Sequence, residues 1–200
     1  VAEEEATDDF HKMGTVGLMR TGLKDANVRL LYAKRVPWLL TLVFINIFSG
    51  AAIASFEDTI QAVVALVIFL PLLIDSGGNA GSQSATLVVR SLATGDVKNK
   101  DWFYLIGREM LVAATIGITM GAAAAGLGIY RGGLELGVVV AVPMIIVLFA
   151  GCLIGTTLPF LLTALKMDPA TASAPLITSI ADIVGVVIYF RIATWYYGIA

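Results

Sequence analysis

Residues 170–194 read ATASAPLITSIADIVGVVIYFRIAT, an apolar stretch long enough to cross a bilayer, with one carboxylate, Asp182, at its middle. A charged carboxylate at membrane mid-depth costs several kcal/mol or more. A cation, a proton path or a buried partner normally compensates such a charge, yet the Lys and Arg residues of this chain lie in or beside predicted loops. Asp182 is therefore the first candidate functional residue.

The composition predicts that most of the chain lies in lipid. Of its 200 residues, 58% are hydrophobic and 14% are charged, whereas a soluble domain carries about 25% charged residues. The formal net charge of −2 argues against a nucleic-acid partner. The single cysteine, Cys152, lies in an apolar run, so we expect a buried and inert thiol.

Apolar windows predict an all-α integral membrane protein with five crossings. Their approximate bounds are Val36–Ser55, Thr59–Thr94, Trp102–Gly128, Leu134–Leu165 and Pro169–Tyr196. Most cations precede the first crossing, flank the loop between the second and third crossings or lie between the fourth and fifth: Lys12, Arg20, Lys24, Arg29, Lys34, Arg35, Arg90, Lys98, Lys100, Arg108 and Lys166. Because cytoplasmic loops carry an excess of Lys and Arg, this multi-pass protein of the inner or plasma membrane is predicted to have its N-terminus in the cytoplasm and its C-terminus outside.

The N-terminal segment is polar and opens with VAEEE, without Met and without a signal peptide. We therefore expect a longer protein, whose soluble N-terminal part precedes residue 1. Residues 1–33 are predicted to form a cytoplasmic helix, and residues 34–200 a pore domain. The acidic side chains of this helix form either a solvated face or a surface that senses cations: Glu3, Glu4, Glu5, Asp8, Asp9 and Asp25.

The predicted second crossing is interrupted by residues 71–83, PLLIDSGGNAGSQ. Glycines weaken a helix, and Pro71 removes one backbone hydrogen bond. We predict a glycine-broken helix whose free carbonyls, together with Asp75, Gly78 and Asn79, face a cation. The alternative is a glycine-rich hinge packed against a neighbouring helix, since irregular backbone at membrane depth must be buried or line water.

The predicted fifth helix offers a matching face. Steps of three and four residues back from Asp182 reach Thr178, then Ala174 or Pro175, and then Thr171. Pro175 is expected to free the carbonyl of Thr171 from its helical bond. The candidate metal ligands are thus Asp182, Thr178 and Ala174 on the fifth helix and Asp75, Gly78 and Asn79 on the second.

Small residues at a spacing of four mark later helices. They occur as Gly117-x-x-x-Gly121 and Gly151-x-x-x-Gly155. Such pairs let helix backbones approach closely in a membrane. We assign them to helix packing.

Two parts of the sequence resemble the MgtE family of magnesium channels. The first is residues 71–86, PLLIDSGGNAGSQSAT, followed by Arg90 and by LATGD at 92–96. The second comprises DPA at 168–170, SAP at 173–175, Thr178 and the run Ala181-Asp182-x-x-Gly185. Asp75 and Ser82 depart from the family pattern, in which a small residue and an asparagine are more frequent.

The resemblance implies a homodimer of five-helix subunits in the bilayer, with a pore on the two-fold axis lined by the second and fifth helices. It implies that Asp182 is the pore carboxylate and that the segment before the first crossing is the family's plug helix. It also implies cytoplasmic N and CBS domains outside this chain, which close the pore when intracellular Mg²⁺ is high. The expected function is a magnesium-selective channel that conducts divalent cations into the cytoplasm. Mg²⁺ would be held in the pore through its inner-shell waters, and Mn²⁺, Co²⁺ or Ca²⁺ share its preference for oxygen.

Three other functions are compatible with parts of the sequence. An ion-coupled secondary transporter would use the same intramembrane aspartate. An aspartyl protease would use Asp75 and Asp182 as a catalytic pair, but neither residue lies in the sequence context of those enzymes, so we predict that the protein is not an enzyme. A purely structural anchor would need no charge in the membrane.

Overall fold

A computed structural model describes residues 24–199, and within them every regular element is helical. The acidic residues 3–9 of the predicted plug helix lie outside this range. The α-helices are α1 (Val28–Ala54), α2 (Glu57–Ala62), α3 (Ala65–Ala93), α4 (Trp102–Ala164) and α5 (Ala174–Tyr197). Two short 3₁₀ turns, Asn99–Asp101 and Pro169–Thr171, precede α4 and α5. The predicted all-helical class is confirmed.

Four segments in the described range, three of them α1, α3 and α5, are long and apolar enough to cross a membrane. The fourth contains α4, whose 63 residues would extend about 95 Å as a straight helix, three times the thickness of a hydrocarbon core. Its backbone leaves helical geometry at Gly132 and Gly133, and Gly133 has a φ of +82°, which glycine adopts readily. We call the two halves α4a (102–131) and α4b (134–164).

The two halves of α4 fold back on each other as an antiparallel hairpin. A Cβ atom on Gly128 would lie 2.7 Å from Cα of Gly137, and one on Gly121 would lie 2.8 Å from Cγ1 of Ile145. Gly117 also meets Ile145. The assignment of Gly117 and Gly121 to helix packing is confirmed.

The α3 helix packs in parallel with α4b through paired glycines. A Cβ atom on Gly151 would collide with the carbonyl oxygen of Gly77, and one on Gly155 with the carbonyl oxygen of Gly81. Because both members of each pair lack side chains, the two backbones touch directly. This confirms that Gly151 and Gly155 are packing positions.

The main core lies where α3, both halves of α4 and α5 meet. Its largest fully buried side chains include Leu66, Leu73, Met144, Tyr189 and Phe190. The hydroxyl of Tyr189 donates a hydrogen bond of 2.9 Å to the carbonyl oxygen of Leu66, which connects α5 to the start of α3. By contrast, α1 has no buried residue and packs on α5 along one side.

The prediction that residues 71–83 break the second crossing is wrong. The α3 helix runs without interruption from Ala65 to Ala93, through Pro71 and all three glycines. The irregular point lies earlier, at Val63, which follows α2 and has φ −135° and ψ 75°. Each glycine weakens a helix by about 1 kcal/mol, but close packing and the need to bond every backbone group in lipid outweigh that effect.

Candidate functional site

The α3 and α5 helices pack antiparallel and bring the predicted site residues into one region. At the centre of the contact, a Cβ atom on Gly78 would lie only 3.0 Å from Cγ2 of Thr178. One turn toward the end of α3, the Ser82 hydroxyl lies 3.4 Å from the carbonyl oxygen of Ala174. In the other direction, Asp75 is the electrostatic neighbour of Asp182.

Asp182 is half-buried on α5. Within residues 24–199 its carboxylate forms no hydrogen bond and no ion pair, and the charge that acts on it most is the repulsive carboxylate of Asp75. Two carboxylates that repel each other in a membrane-embedded region favour a cation between or beside them.

The side of α3 that carries Asp75 is polar for several turns. Asp75, Asn79 and Thr86 are exposed, and Ser82 is half-buried on the same helix face. The hydroxyls of Ser82 and Thr86 donate to carbonyl oxygens of their own helix, at Gly78 and Ser82 respectively, each at 2.8 Å. The Asp75 carboxylate and the Asn79 amide make no such bond among the described residues, so both remain available to a ligand.

Thr178 and Ala174 continue this polar face on α5. The Thr178 hydroxyl donates to the carbonyl oxygen of Pro175 at 3.0 Å, and its methyl side packs on Gly78. Ala174 is exposed at the first turn of α5. We use the term polar face for Asp75, Asn79 and Ser82 on α3 together with Ala174, Thr178 and Asp182 on α5.

Two of the predicted ligand sources are wrong. Carbonyls freed by a broken second helix do not exist, because α3 is continuous and Gly78 is buried within it. The carbonyl of Thr171 is not free either, since it accepts a hydrogen bond of 2.7 Å from the backbone N–H of Ser173. The remaining candidate ligands for a cation are the charged and polar side chains of the polar face.

The donor set of the polar face suits a cation that keeps its water. Across residues 24–199 no group of three or more His, Cys, Asp or Glu side chains is arranged to hold a metal ion. Mg²⁺ gives up water reluctantly and is often bound through one or two carboxylates and several waters. Asp182 and Asp75 fit that mode of binding better than direct chelation.

A second polar cluster was missed by the sequence analysis. Glu109 on α4a accepts a hydrogen bond of 2.5 Å from the hydroxyl of Ser84 on α3, on the side of α3 that faces away from the polar face. Cys152 of α4b is buried beside them, as predicted for the thiol. The sequence analysis used Arg108 as a cation that flanks a loop and did not single out Glu109, although Glu109 lies within the predicted crossing 102–128. A carboxylate within a predicted membrane crossing was the signal that could have identified it.

Comparison with known proteins connects this chain to one family of transporters. The MgtE family model, described as a divalent cation transporter, matches residues 70–192. The chain is similar to the magnesium transporter MgtE of Thermus thermophilus, with 37% identity over 193 residues, and to that of Bacillus subtilis, with 38% over 195 residues. It is also 33% identical over 199 residues to the magnesium transporter MgtE of Enterococcus faecalis.

These matches cover 96%, 97% and 98% of this chain, respectively. They cover only 43% of each relative, so the chain spans less than half the length of the curated relatives that it matches.

Proposed function

Because this chain belongs to the MgtE family of divalent cation transporters, we propose that it forms the pore of a magnesium-selective channel that conducts divalent cations into the cytoplasm. The family consists of transporters and not of enzymes, which confirms the class predicted from the sequence. The single observation that carries the proposal is the half-buried and unpaired Asp182 on the polar face.

The proposed permeation path runs along the polar face. A carboxylate in low dielectric attracts a dication strongly, whereas a channel must also release the ion quickly. An ion held through its waters satisfies both needs. No energy source beyond the membrane potential is required, because a potential of 100 mV gives about 2.3 kcal/mol per elementary charge, or about 4.6 kcal/mol for a dication.

In this proposal the membrane topology has five crossings, with α4a and α4b as separate spans. The antiparallel packing of α4a on α4b, the parallel packing of α3 on α4b and the antiparallel packing of α5 on α3 all support it. With this topology the basic segment ahead of α1 and the loops at 94–101 and 165–173 share one side. The excess of Lys and Arg there supports a cytoplasmic N-terminus and an external C-terminus.

A homodimer would cover the polar face. Asp75, Asn79 and Ala174 are exposed on it in the single chain, and exposing Asp75 and Asp182 to hydrocarbon would cost several kcal/mol. A second copy related by a two-fold axis would enclose water between the two polar faces and place two Asp182 carboxylates beside one ion. The negative charge of the pair would balance the charge of Mg²⁺.

The dimer predicts cross-linking between equivalent residues of the polar face. In a Cys152→Ala background, Asn79→Cys should form a covalent dimer in membranes treated with a short bifunctional thiol reagent, seen as a doubling of mass on a denaturing gel. Leu111→Cys is the matched control, because Leu111 is 72% exposed on α4a, away from the polar face, and it should stay monomeric. A dimer band for Leu111→Cys without one for Asn79→Cys would place the interface elsewhere.

Channel activity itself is tested by current recording. With Mg²⁺ as the permeant cation, the purified chain in a planar bilayer should show unitary current steps. Gating by intracellular Mg²⁺ is proposed to reside in domains outside this chain, so the steps should persist at millimolar Mg²⁺ on the cytoplasmic side. Saturable uptake that depends on a second ion, without unitary steps, would instead identify a secondary transporter.

A further inference from the structure

A cavity of about 310 Å³ lies between α3, α4a and α4b, away from the polar face. We call it the side chamber. Its polar lining consists of Gln83, Ser84, Ser91, Arg108, Glu109 and Thr156, with Cys152 among the buried residues of its wall. The volume is far larger than one water molecule needs. Ser82 and Ser84 are two positions apart and point to nearly opposite sides of α3, so this helix separates the chamber from the polar face.

Glu109 brings a carboxylate into this chamber at membrane depth. It lies seven residues into α4, about 10 Å along the helix from Trp102. Its carboxylate accepts the hydrogen bond from Ser84 and lies beside the Cys152 thiol. Within residues 24–199 it forms no ion pair, although Arg108 is its neighbour in the chain. The carboxylate charge therefore lacks a bonded cation among these residues.

Thr156 gives an independent sign of a ligand. It is 1% exposed, it lines the chamber, and its hydroxyl has no hydrogen-bond partner. Buried hydroxyls in membrane helices usually donate to a carbonyl four residues earlier, as Ser84 does to Ala80 at 3.0 Å and Thr163 to Pro159 at 2.9 Å. Leaving a buried hydroxyl without a partner is unfavourable, so Thr156 points to an occupant of the chamber.

We propose that the side chamber is a second cation site, which holds a hydrated divalent cation with Glu109 as its charged ligand and the hydroxyls of Ser84 and Thr156 as further contacts. One carboxylate with several retained waters is a common mode of Mg²⁺ binding. Carboxylate and water oxygens also suit Mn²⁺, which can therefore stand in for Mg²⁺ as a probe. The site is separate from the proposed pore and does not depend on Asp182.

Arg108 allows a test of whether the chamber binds a cation or an anion. It is exposed and lines the chamber, and it is the cationic side chain of that lining. A guanidinium at this position repels a dication that enters the chamber. Arg108→Gln should therefore bind the cation more tightly than the parent protein, whereas a site for an anion would be weakened by the same change.

The experiment counts bound Mn²⁺ by electron paramagnetic resonance on the purified, detergent-solubilised protein. The parent is Asp182→Asn, which removes the proposed pore ligand. We expect one Mn²⁺ site per chain to remain, to weaken at least tenfold when Glu109→Gln is added, and to tighten several-fold with Arg108→Gln. Glu135→Gln is the matched control, because Glu135 is exposed next to the bend of α4 and should leave the affinity unchanged.

Thr156→Val keeps the shape of the side chain and removes only the hydroxyl, so it should weaken binding two- to threefold without a loss of thermal stability. The proposal is overturned if Mn²⁺ binding is already absent in Asp182→Asn, or if it is insensitive to Glu109→Gln, as a chamber filled with water alone would give. These outcomes are independent of the proposed pore, which is judged by ion flux through the Asp182 variant and not by residual binding.

Discussion

Replacing Asp182 by asparagine is expected to lower selective Mg²⁺ flux by more than tenfold while the protein still folds. The change keeps the size of the side chain and removes its charge, and a tenfold loss corresponds to only about 1.4 kcal/mol. Hydrogen bonds to a charged group are roughly twice as strong as those to a neutral one, and a dimer would lose two charges facing one ion. Flux is measured in proteoliposomes that contain a Mg²⁺-sensitive dye.

The matched control is Asp96→Asn, the same chemical change on an exposed residue of the α3–α4 loop. There the carboxylate accepts a hydrogen bond from the Thr94 hydroxyl, which an amide oxygen can also accept. Its flux should equal that of the parent. Wild-type flux and selectivity in Asp182→Asn, with correct folding shown by gel filtration and thermal unfolding, would disprove the pore role of Asp182.

A single methyl group at Gly155 is expected to destabilise the helix bundle, whereas the same methyl group at Gly126 is expected to stabilise it. The Cβ atom of Gly155→Ala would collide with the carbonyl oxygen of Gly81, a backbone atom that cannot rotate away. Overpacking of this kind costs about 1–3 kcal/mol or more. At Gly126, in the last two turns of α4a, no atom lies within 4 Å of the new Cβ, so alanine contributes only its higher helix propensity, up to about 1 kcal/mol.

The two variants should therefore shift the unfolding temperature in opposite directions, as followed by intrinsic fluorescence in detergent. Both variants gain the same helix propensity from the change of glycine to alanine, so the difference between them reports the contact with α3. Equal shifts for the two positions would show that α3 and α4b do not touch through their backbones, and the close packing described above would be incorrect.

Much of this arrangement was predictable from the sequence because it follows from the bilayer. Low charge and long apolar windows predict membrane helices, and counting in steps of three and four residues applies to Ala174, Thr178 and Asp182 because α5 is a continuous helix over Ala174–Tyr197. The spacing of Gly151 and Gly155 also predicted a helix contact. The spacing does not show which helix is contacted, because Gly77 and Gly81 come next to Gly151 and Gly155 only after folding.

The wrongly predicted helix break and the missed Glu109 have the same cause, because the sequence does not show which residues pack against each other. Gly77, Gly78 and Gly81 have low helix propensity, and propensity is a property of the isolated chain, so a break was predicted there. In the folded protein these glycines are the positions at which Gly151, Gly155 and Thr178 approach α3, and the helix persists. Glu109 was not singled out although it lies within the predicted third crossing, and only the packing of α4a on α3 shows that its carboxylate points inward.

The direct contact of α3 with its neighbours has a mechanical consequence. On one side the glycine backbones of α3 rest on those of α4b, and on another side Gly78 rests on Thr178 of α5. At Gly77, Gly81 and Gly78 the backbone of α3 is in direct contact with its neighbours, so a twist of α3 would force both neighbours to move with it. We therefore expect these three helices to move as one stiff block, and in the proposed dimer any widening of the pore should come from the two subunits tilting against each other.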